Sequence, residues 1–283
     1  MVTVAYLGPE KTNTHLAALA KFGKRASYVH APTVEEVFHV VERRRAHYGV
    51  VPIENSLEGA VTHTLDRFID FQDSPARIQG EIELAIAHYL IVRPKASLPH
   101  IRVVYSHPQA FAQCRHWLAK HLPKAQLSET NSTAEAVDEI ISCEPSPRWL
   151  PGERAAIARR ELAEKFGLRC LLIPEERENK TRFLIIGLGE ARPGRRNKTS
   201  ILLALKDKPG ALHDALVPFK QHGINLTKIE SRPSKRKAWE YLFFIDFAGY
   251  ESELRVRKTL KALARSTAFL RVLGSYPIQS NRS

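Results

Sequence analysis

The sequence predicts an α/β domain followed by a smaller α+β domain. Three observations carry this. Across roughly the first 170 of 283 residues the pattern strand, polar turn, helix recurs four times, the signature of parallel strands joined by helices. Residues 189–198 are rich in Gly, Pro and Arg, lack apolar periodicity and read as a linker. Beyond the linker the order changes to strand, helix, strand, strand, helix, strand.

Taken in order, Val2 to Leu7 reads as a buried strand, broken by Gly8 and Pro9. Thr12, Asn13 and Thr14 then precede the apolar run Leu16 to Ala20, a capped helix start. Its N–H groups and hydroxyls suit an anion, but plain N-capping is the better local reading. Thr33 caps a second helix through Val41. The strand Tyr48 to Ile53 runs into Glu54, Asn55 and Ser56, before a helix carrying Val61, Leu65, Phe68 and Ile69. Polar turns at strand carboxyl ends are where open α/β sheets bind ligands.

Ile82 to Val92 is a long apolar strand-like run interrupted by His88. The short strand Val103 to Tyr105 ends at Ser106, His107, Pro108 and Gln109, and the helix Ala110 to Leu122 carries Gln113 and Cys114 early. Leu127 to Thr130 leads into Asn131, Ser132 and Thr133, a cap for the helix Ala134 to Ile141. Ser146 to Gly152 reads as loop, Arg154 to Phe166 as helix closed by Gly167, and Leu168 to Ile173 as strand. An acidic loop (Glu175, Glu176, Glu178) then meets Asn179 to Phe183 and the apolar run Leu184 to Gly187. A hydroxyl and a guanidinium thus sit at the mouth of a rigid strand, a position that suits catalytic groups. An ordinary strand start with a solvated Arg and a Thr of good β-propensity fits the same residues.

After the linker come a strand Thr199 to Leu205, a turn Asp207 to Gly210, a helix Ala211 to His222 stopped by Gly223, and a strand Ile224 to Ser231. Pro233 to Lys237 is a turn, and Trp239, Tyr241, Phe243, Ile245 and Phe247 share one face of the next strand. A helix Glu251 to Ala264 and a strand Ala268 to Leu273 complete βαββαβ, the order of a ferredoxin-like sandwich.

Composition narrows the function classes. No run of about 18 apolar residues predicts a membrane helix. The N-terminus has no secretory pattern, so a cytoplasmic protein is expected. The dispersed Cys114, Cys143 and Cys170 predict reduced thiols, no metal site is expected, and neither a phosphate-binding Gly-rich loop nor a dinucleotide fingerprint is present. The net charge of +13 comes from scattered residues, with small clusters at 43–45, 192–198 and 235–237. That pattern reads as solvated surface rather than a nucleic-acid face, and its field favours an anionic small molecule.

The segments Tyr6 to Glu10, Val51 to Ser56, Ser106 to Ala110, Asn179 to Phe183, Gly210 to Leu212, Gly223 to Leu226, Glu230 to Pro233 and Leu273 to Pro277 stand in this order along the chain. Together they resemble a bacterial prephenate dehydratase carrying a C-terminal ACT regulatory domain. The resemblance implies a two-lobed periplasmic-binding-protein-like catalytic domain over residues 1–188, with chain crossings near Ile82 to Val92 and Leu168 to Asn179. An ACT domain over 199–283 follows the linker. It implies decarboxylative dehydration of prephenate to phenylpyruvate without metal or cofactor, feedback by phenylalanine, and a homodimer or homotetramer, with no nucleic-acid or membrane partner. Thr181, Arg182 and Asn55 are the implied catalytic groups, Thr181 as donor to the leaving oxygen. For Arg182 a substrate clamp and a brace against Glu175 or Glu176 are both open. Thr12, Glu54, Ser56, Ser106, Gln113, Ser132, Thr133 and Phe183 are implied around substrate. Gly210, Ala211, Leu212, Asn225, Leu226, Glu230, Ser231, Arg232 and Pro233 are implied around the effector.

The chain departs from the family pattern at Lys11 and Asn13, where glycine and an aromatic residue are usual, at Glu175, and at Asn131. Arogenate, the amino analogue, is an alternative substrate, and a silent amino-acid sensor is an alternative function.

Overall fold

The computed structural model describes residues 1–70, 73–142, 150–174, 179–234 and 240–278. Cys143, Ser146, the acidic loop with Glu175, Glu176 and Glu178, the turn at Lys235 to Lys237, and Trp239 lie outside the described residues. Two compact units are present: Met1–Leu84 with Lys180–Ser283, and Ala85–Asn179.

The first stretch forms β1 (Thr3–Leu7), α1 (Asn13–Phe22), β2 (Ser27–Ala31), α2 (Val34–Glu42), β3 (Tyr48–Asn55), β4 (Gly59–Ala60), α3 (Thr62–Asp70) and β5 (Ala76–Ala85). Its helices start where hydroxyl caps sit: Thr12 accepts from His15 N and Thr33 from Glu36 N. The second unit contains β6 (His88–Val92), β7 (Val103–Ser106), α4 (Pro108–His121), β8 (Gln126–Glu129), α5 (Thr133–Ile141), β9 (Arg154–Ala158), α6 (Arg160–Lys165) and β10 (Arg169–Ile173). The chain then adds β11 (Lys180–Leu188), β12 (Asn197–Leu205), α7 (Ala211–Gln221), β13 (Leu226–Pro233), β14 (Tyr241–Ala248), α8 (Leu254–Ser266) and β15 (Thr267–Pro277) to the first unit.

The described residues form three sheets, in the orders β2-β1-β3-β11-β5, β10-β6-β9-β7-β8 and β13-β14-β12-β15. The first two fit the two lobes, and the third the antiparallel ferredoxin-like sheet of the ACT part, that the resemblance implies. β1 pairs in parallel with β2 and β3, but β11 returns antiparallel to β3.

Arg154 to Phe166, expected as one helix, is instead β9 followed by the short α6. Its alanines favour helix locally, yet all five β9 residues are buried at the sheet centre. Ala155 and Ile157 enter one core cluster while Ala156 and Ala158 enter another, so packing on both faces overrides propensity. The run Ile82 to Val92 is split into β5 and β6, and β2 was not foreseen. β12 begins at Asn197, inside the expected linker, because Lys198 is drawn into an ion pair with Glu81.

The ACT sheet is buried on both faces within the first unit. Ile201, Leu203, Ile245 and Phe247 pack on α7 and α8 through Ala215, Phe219, Val256 and Leu263. The alternate residues Leu202, Ala204, Leu242, Phe244, Leu273 and Tyr276 join the core of the first lobe with Leu65, Phe68, Ile78 and Leu184. Each large side chain so buried contributes about 1.5–3 kcal/mol. The seam is set by this packing together with the buried charges across it, whose mutual pairing offsets the cost of taking them out of water.

Gly274 lies at this seam, where an added Cβ would fall 2.1 Å from the Ile78 carbonyl oxygen. The obstacle is backbone and cannot swing aside. Gly274→Ala is expected to lower stability by about 1–3 kcal/mol or more, while Gly152→Ala, which meets no atom of the described residues within 4 Å, serves as control. Denaturant unfolding of both variants checks this; equal midpoints would show that the seam yields.

Candidate active site

The site grows from the β3–β11 ladder, where Thr181 lies opposite Asn55 and Arg182 opposite Glu54. Directly opposed residues share a face, and successive residues alternate faces. Thr181 and Asn55 are thus on one side of the sheet, Arg182 and Glu54 on the other.

On the first side Asn55 Nδ2 donates to Thr181 Oγ1 at 3.0 Å. Asn55 is itself held, its Oδ1 accepting from Leu57 N at 2.9 Å and Glu58 N at 3.1 Å. Ser56 Oγ accepts from Lys180 N at 2.9 Å, and Ser56 N donates to Lys180 O. The two short motifs are therefore zipped together by side chains as well as backbone. The hydroxyl hydrogen of Thr181 has no acceptor among the described residues, so it remains available to donate.

The second side holds a network of charges. Arg182 Nη2 meets Glu54 Oε2 at 2.5 Å, and Nη1 meets Asp246 Oδ2 at 3.0 Å and Glu81 Oε2 at 3.2 Å. Lys228 pairs with Glu54 at 3.0 Å and Lys198 with Glu81 at 2.7 Å. Three cations face three carboxylates, a balance that a buried cluster requires. Ser200 Oγ donates to Asp246 Oδ1 at 2.6 Å and lies 2.9 Å from Tyr276 Oη. Burial opposes the charge on Arg182, but Asp246 and Glu81 raise its pKa above the ordinary arginine value. Burial likewise opposes ionisation of Glu54, yet Arg182 and Lys228 hold its carboxyl below the usual range. Burial, with Asp246 and Glu81 nearby, pushes the Tyr276 phenol well up.

Other expected site residues are placed as follows. Thr12 caps α1, and the neighbouring Lys11 adopts φ 67, the left-handed region where glycine is at ease. Lys11 thus occupies a backbone conformation that glycine adopts without strain. In the second unit Gln113 Oε1 accepts from Asn179 Nδ2 at 3.2 Å, Ser132 caps α5 and Thr133 opens it. Two of the expected substrate contacts lie in the interior. Ser106 is fully buried and its Oγ donates to Ile157 O at 2.8 Å, stitching β7 to β9. Phe183, 1% exposed, packs among Val4, Tyr6, Ala17 and Val50, because the strand's alternation carries it into the core.

In the ACT part Gly210 (φ 76) precedes α7, Ala211 is buried and Leu212 exposed. Asn225 O accepts from Ala248 N, and Leu226 packs at the edge of the ACT core. Glu230, Ser231, Arg232 and Pro233 lie on the edge strand β13. Arg232, for which pairing with an effector carboxylate and stabilising its turn were both open, donates to Asp66 Oδ1 at 3.1 Å. Sequence reasoning missed Glu81, Lys198, Lys228 and Asp246. The available signal was a lone charge inside an apolar strand, as with Asp246 between Ile245 and Phe247.

Residues 4–191 match the family model described as prephenate dehydratase, and 199–265 match that of the ACT domain. The bifunctional chorismate mutase/prephenate dehydratase of Aquifex aeolicus is 49% identical over 279 residues, which cover 98% of this chain and 74% of that relative. The crystal structure of prephenate dehydratase from Arthrobacter aurescens in complex with L-Phe superposes with a TM-score of 0.85 at 33% identity, covering 100% of this chain and 92% of that one. A structure described as GqqA, a novel type of quorum quenching acylase, superposes with a TM-score of 0.82 at 25% identity, covering 99% of each chain. One fold thus accompanies different named activities, and the site residues must carry the chemistry.

The depressed Glu54 pKa has a consequence for acid stability. Its stabilisation is fully present above the ordinary carboxylate value of 4.5 and is lost as pH falls through the lower folded value. Glu54→Gln is expected to lower the melting temperature at neutral pH and to flatten its decline below 4.5. Thermal melts across that range check it, and parallel wild-type and variant curves would exclude the linkage.

Proposed function

The chain belongs to the prephenate dehydratase family, and we propose how its residues divide that family's reaction. Prephenate loses its ring hydroxyl and its ring carboxylate. The C–O bond breaks as the bond to the carboxylate carbon breaks, and the latter's electron pair enters the ring. One proton is taken up, and phenylpyruvate, CO2 and water leave. Aromatisation drives the step, so the protein's task is to hold two carboxylates and assist a poor leaving group.

The observation that carries the assignment is the Asn55–Thr181 hydrogen bond. Asn55 occupies one lone pair of the Thr181 oxygen and turns the hydroxyl hydrogen outward, toward the departing oxygen. A threonine hydroxyl is too weak an acid to give up its proton, so it acts as a positioned donor and solvent supplies the proton. Thr12, Ser56, Gln113, Ser132 and Thr133 are the remaining candidates to hold substrate. Arg182 is not assigned as a carboxylate clamp, because three carboxylates already surround its guanidinium. A substrate carboxylate there would meet negative charge.

The ACT part takes phenylalanine as effector along Gly210 to Leu212 and Glu230 to Pro233. The L-Phe complex of the Arthrobacter relative supports this. Exposed Ile229 on edge strand β13, whose backbone is open to pairing, favours association with a second copy, as a homodimer or homotetramer. Among the described residues no helix is long and apolar enough to cross a membrane, and we assign the enzyme to the cytoplasm.

Thr181→Ala is expected to lower kcat about 10²–10³-fold with a much smaller change in KM. Phenylpyruvate absorbance in alkali, with arogenate assayed beside prephenate, provides the measurement. Near-normal turnover by folded Thr181→Ala would remove Thr181 from the chemistry. Turnover of arogenate alone would keep the chemistry and change the substrate. Phenylalanine is expected to inhibit and to give a calorimetric binding signal; neither effect at millimolar concentration would exclude it as effector.

A further inference from the structure

Arg182 stands one residue from Thr181 and faces the opposite way, into the ACT sheet. Its partner Glu54 stands one residue from Asn55 and faces the same way. The two residues that form the proposed donor pair are thus each chained to a residue of the charge network. Half of that network comes from the ACT domain: Lys198 on β12, Lys228 on β13 and Asp246 on β14. The other half, Glu54, Glu81 and Arg182, comes from three strands of the first lobe. The ladder is irregular between Arg182 and Phe183, just beyond the Arg182–Glu54 pair, so a register shift is accommodated beside the motif.

We propose that Arg182 is a positioning residue that couples the ACT sheet to the Thr181–Asn55 hydrogen bond. The reading rests on Thr181 as the donor to the leaving oxygen. A small displacement of β13 or β14 moves Lys228 or Asp246. The low-dielectric network cannot tolerate an unpaired charge, so Arg182 and Glu54 follow. Their neighbours Thr181 and Asn55 share the same backbone, and their 3.0 Å contact changes with them. β13 also carries the proposed effector residues Glu230 to Pro233, so effector binding acts on the strand that bears Lys228.

The test uses the full-length chain with three variants. Arg182→Lys keeps the charge but loses the fork, and is expected to lower kcat about tenfold or more with KM within about twofold. A clamp on substrate would instead raise KM, and that result overturns the proposal. In a Thr181→Ala background Arg182→Lys is expected to add little further loss, because it acts through Thr181; an equal fold-loss in both backgrounds overturns it. Asp246→Asn is expected to retain the calorimetric phenylalanine signal while inhibition at saturating phenylalanine weakens about fivefold. Undiminished inhibition in that variant overturns the coupling. Should Asp246→Asn not fold, Ser200→Ala, which removes one hydrogen bond to Asp246 without changing charge, replaces it with the same expectation.

The failures are separable. Full activity in Thr181→Ala defeats the functional reading itself. An inactive Thr181→Ala with Arg182→Lys at wild-type kcat defeats only the coupling. If phenylalanine binds nowhere, the Arg182→Lys and Thr181→Ala pair still decides it.

Discussion

The antiparallel pairing of β11 with β3 is the contact on which the rest depends. The chain leaves the first unit after Leu84, builds the second unit through Asn179, and returns at Lys180 to pair with β3. Closing so long a loop costs entropy, but the cost grows only slowly with length. In return the pairing sets two motifs far apart in sequence side by side. Without it Thr181 has no Asn55 and Arg182 has no Glu54. The register also decides which face each residue occupies, since a one-residue slip would exchange hydroxyl and guanidinium.

The burial of Arg182 follows from that register. A guanidinium placed on the side facing the ACT sheet must be neutralised, and desolvation of several charges is repaid only when each finds partners. The structure supplies three carboxylates to Arg182 and then neutralises two of them again with Lys198 and Lys228. Removing one member leaves an uncompensated charge, which is why such a cluster behaves as a unit.

Much of this was legible in the sequence. The strand–turn–helix repeats and the βαββαβ order came from periodicity and punctuation, and the motif residues stood at strand ends. The failures share one cause, burial on a second face. β9 reads as helix because its alanines are good helix formers, and only its position between β6 and β7 makes it a strand. Phe183 reads as a cleft residue because the motif ends there, while alternation takes it into the core. The polar residues that bind Arg182 come from three other strands, and pairwise partners across such distances leave no local trace. Lys198 was hidden further by lying in a stretch whose arginines read as linker.

The two-sided ACT sheet bears on how such proteins are recombined. In a free-standing ferredoxin-like sandwich one sheet face meets helices and the other is open to solvent or a partner. Here the second face is apolar and closed by the first lobe, with Phe244 near Phe68 at a ring separation of 6.4 Å and Gly274 against the Ile78 backbone. The regulatory part is therefore not a cassette that can be exchanged at its linker. A chimaera that swaps it at residues 189–198 inherits a mismatched apolar face and a broken charge balance unless Leu65, Phe68, Ile78, Glu54 and Glu81 are transplanted with it. In this chain, sensitivity to an effector and the integrity of the catalytic lobe would have to evolve together.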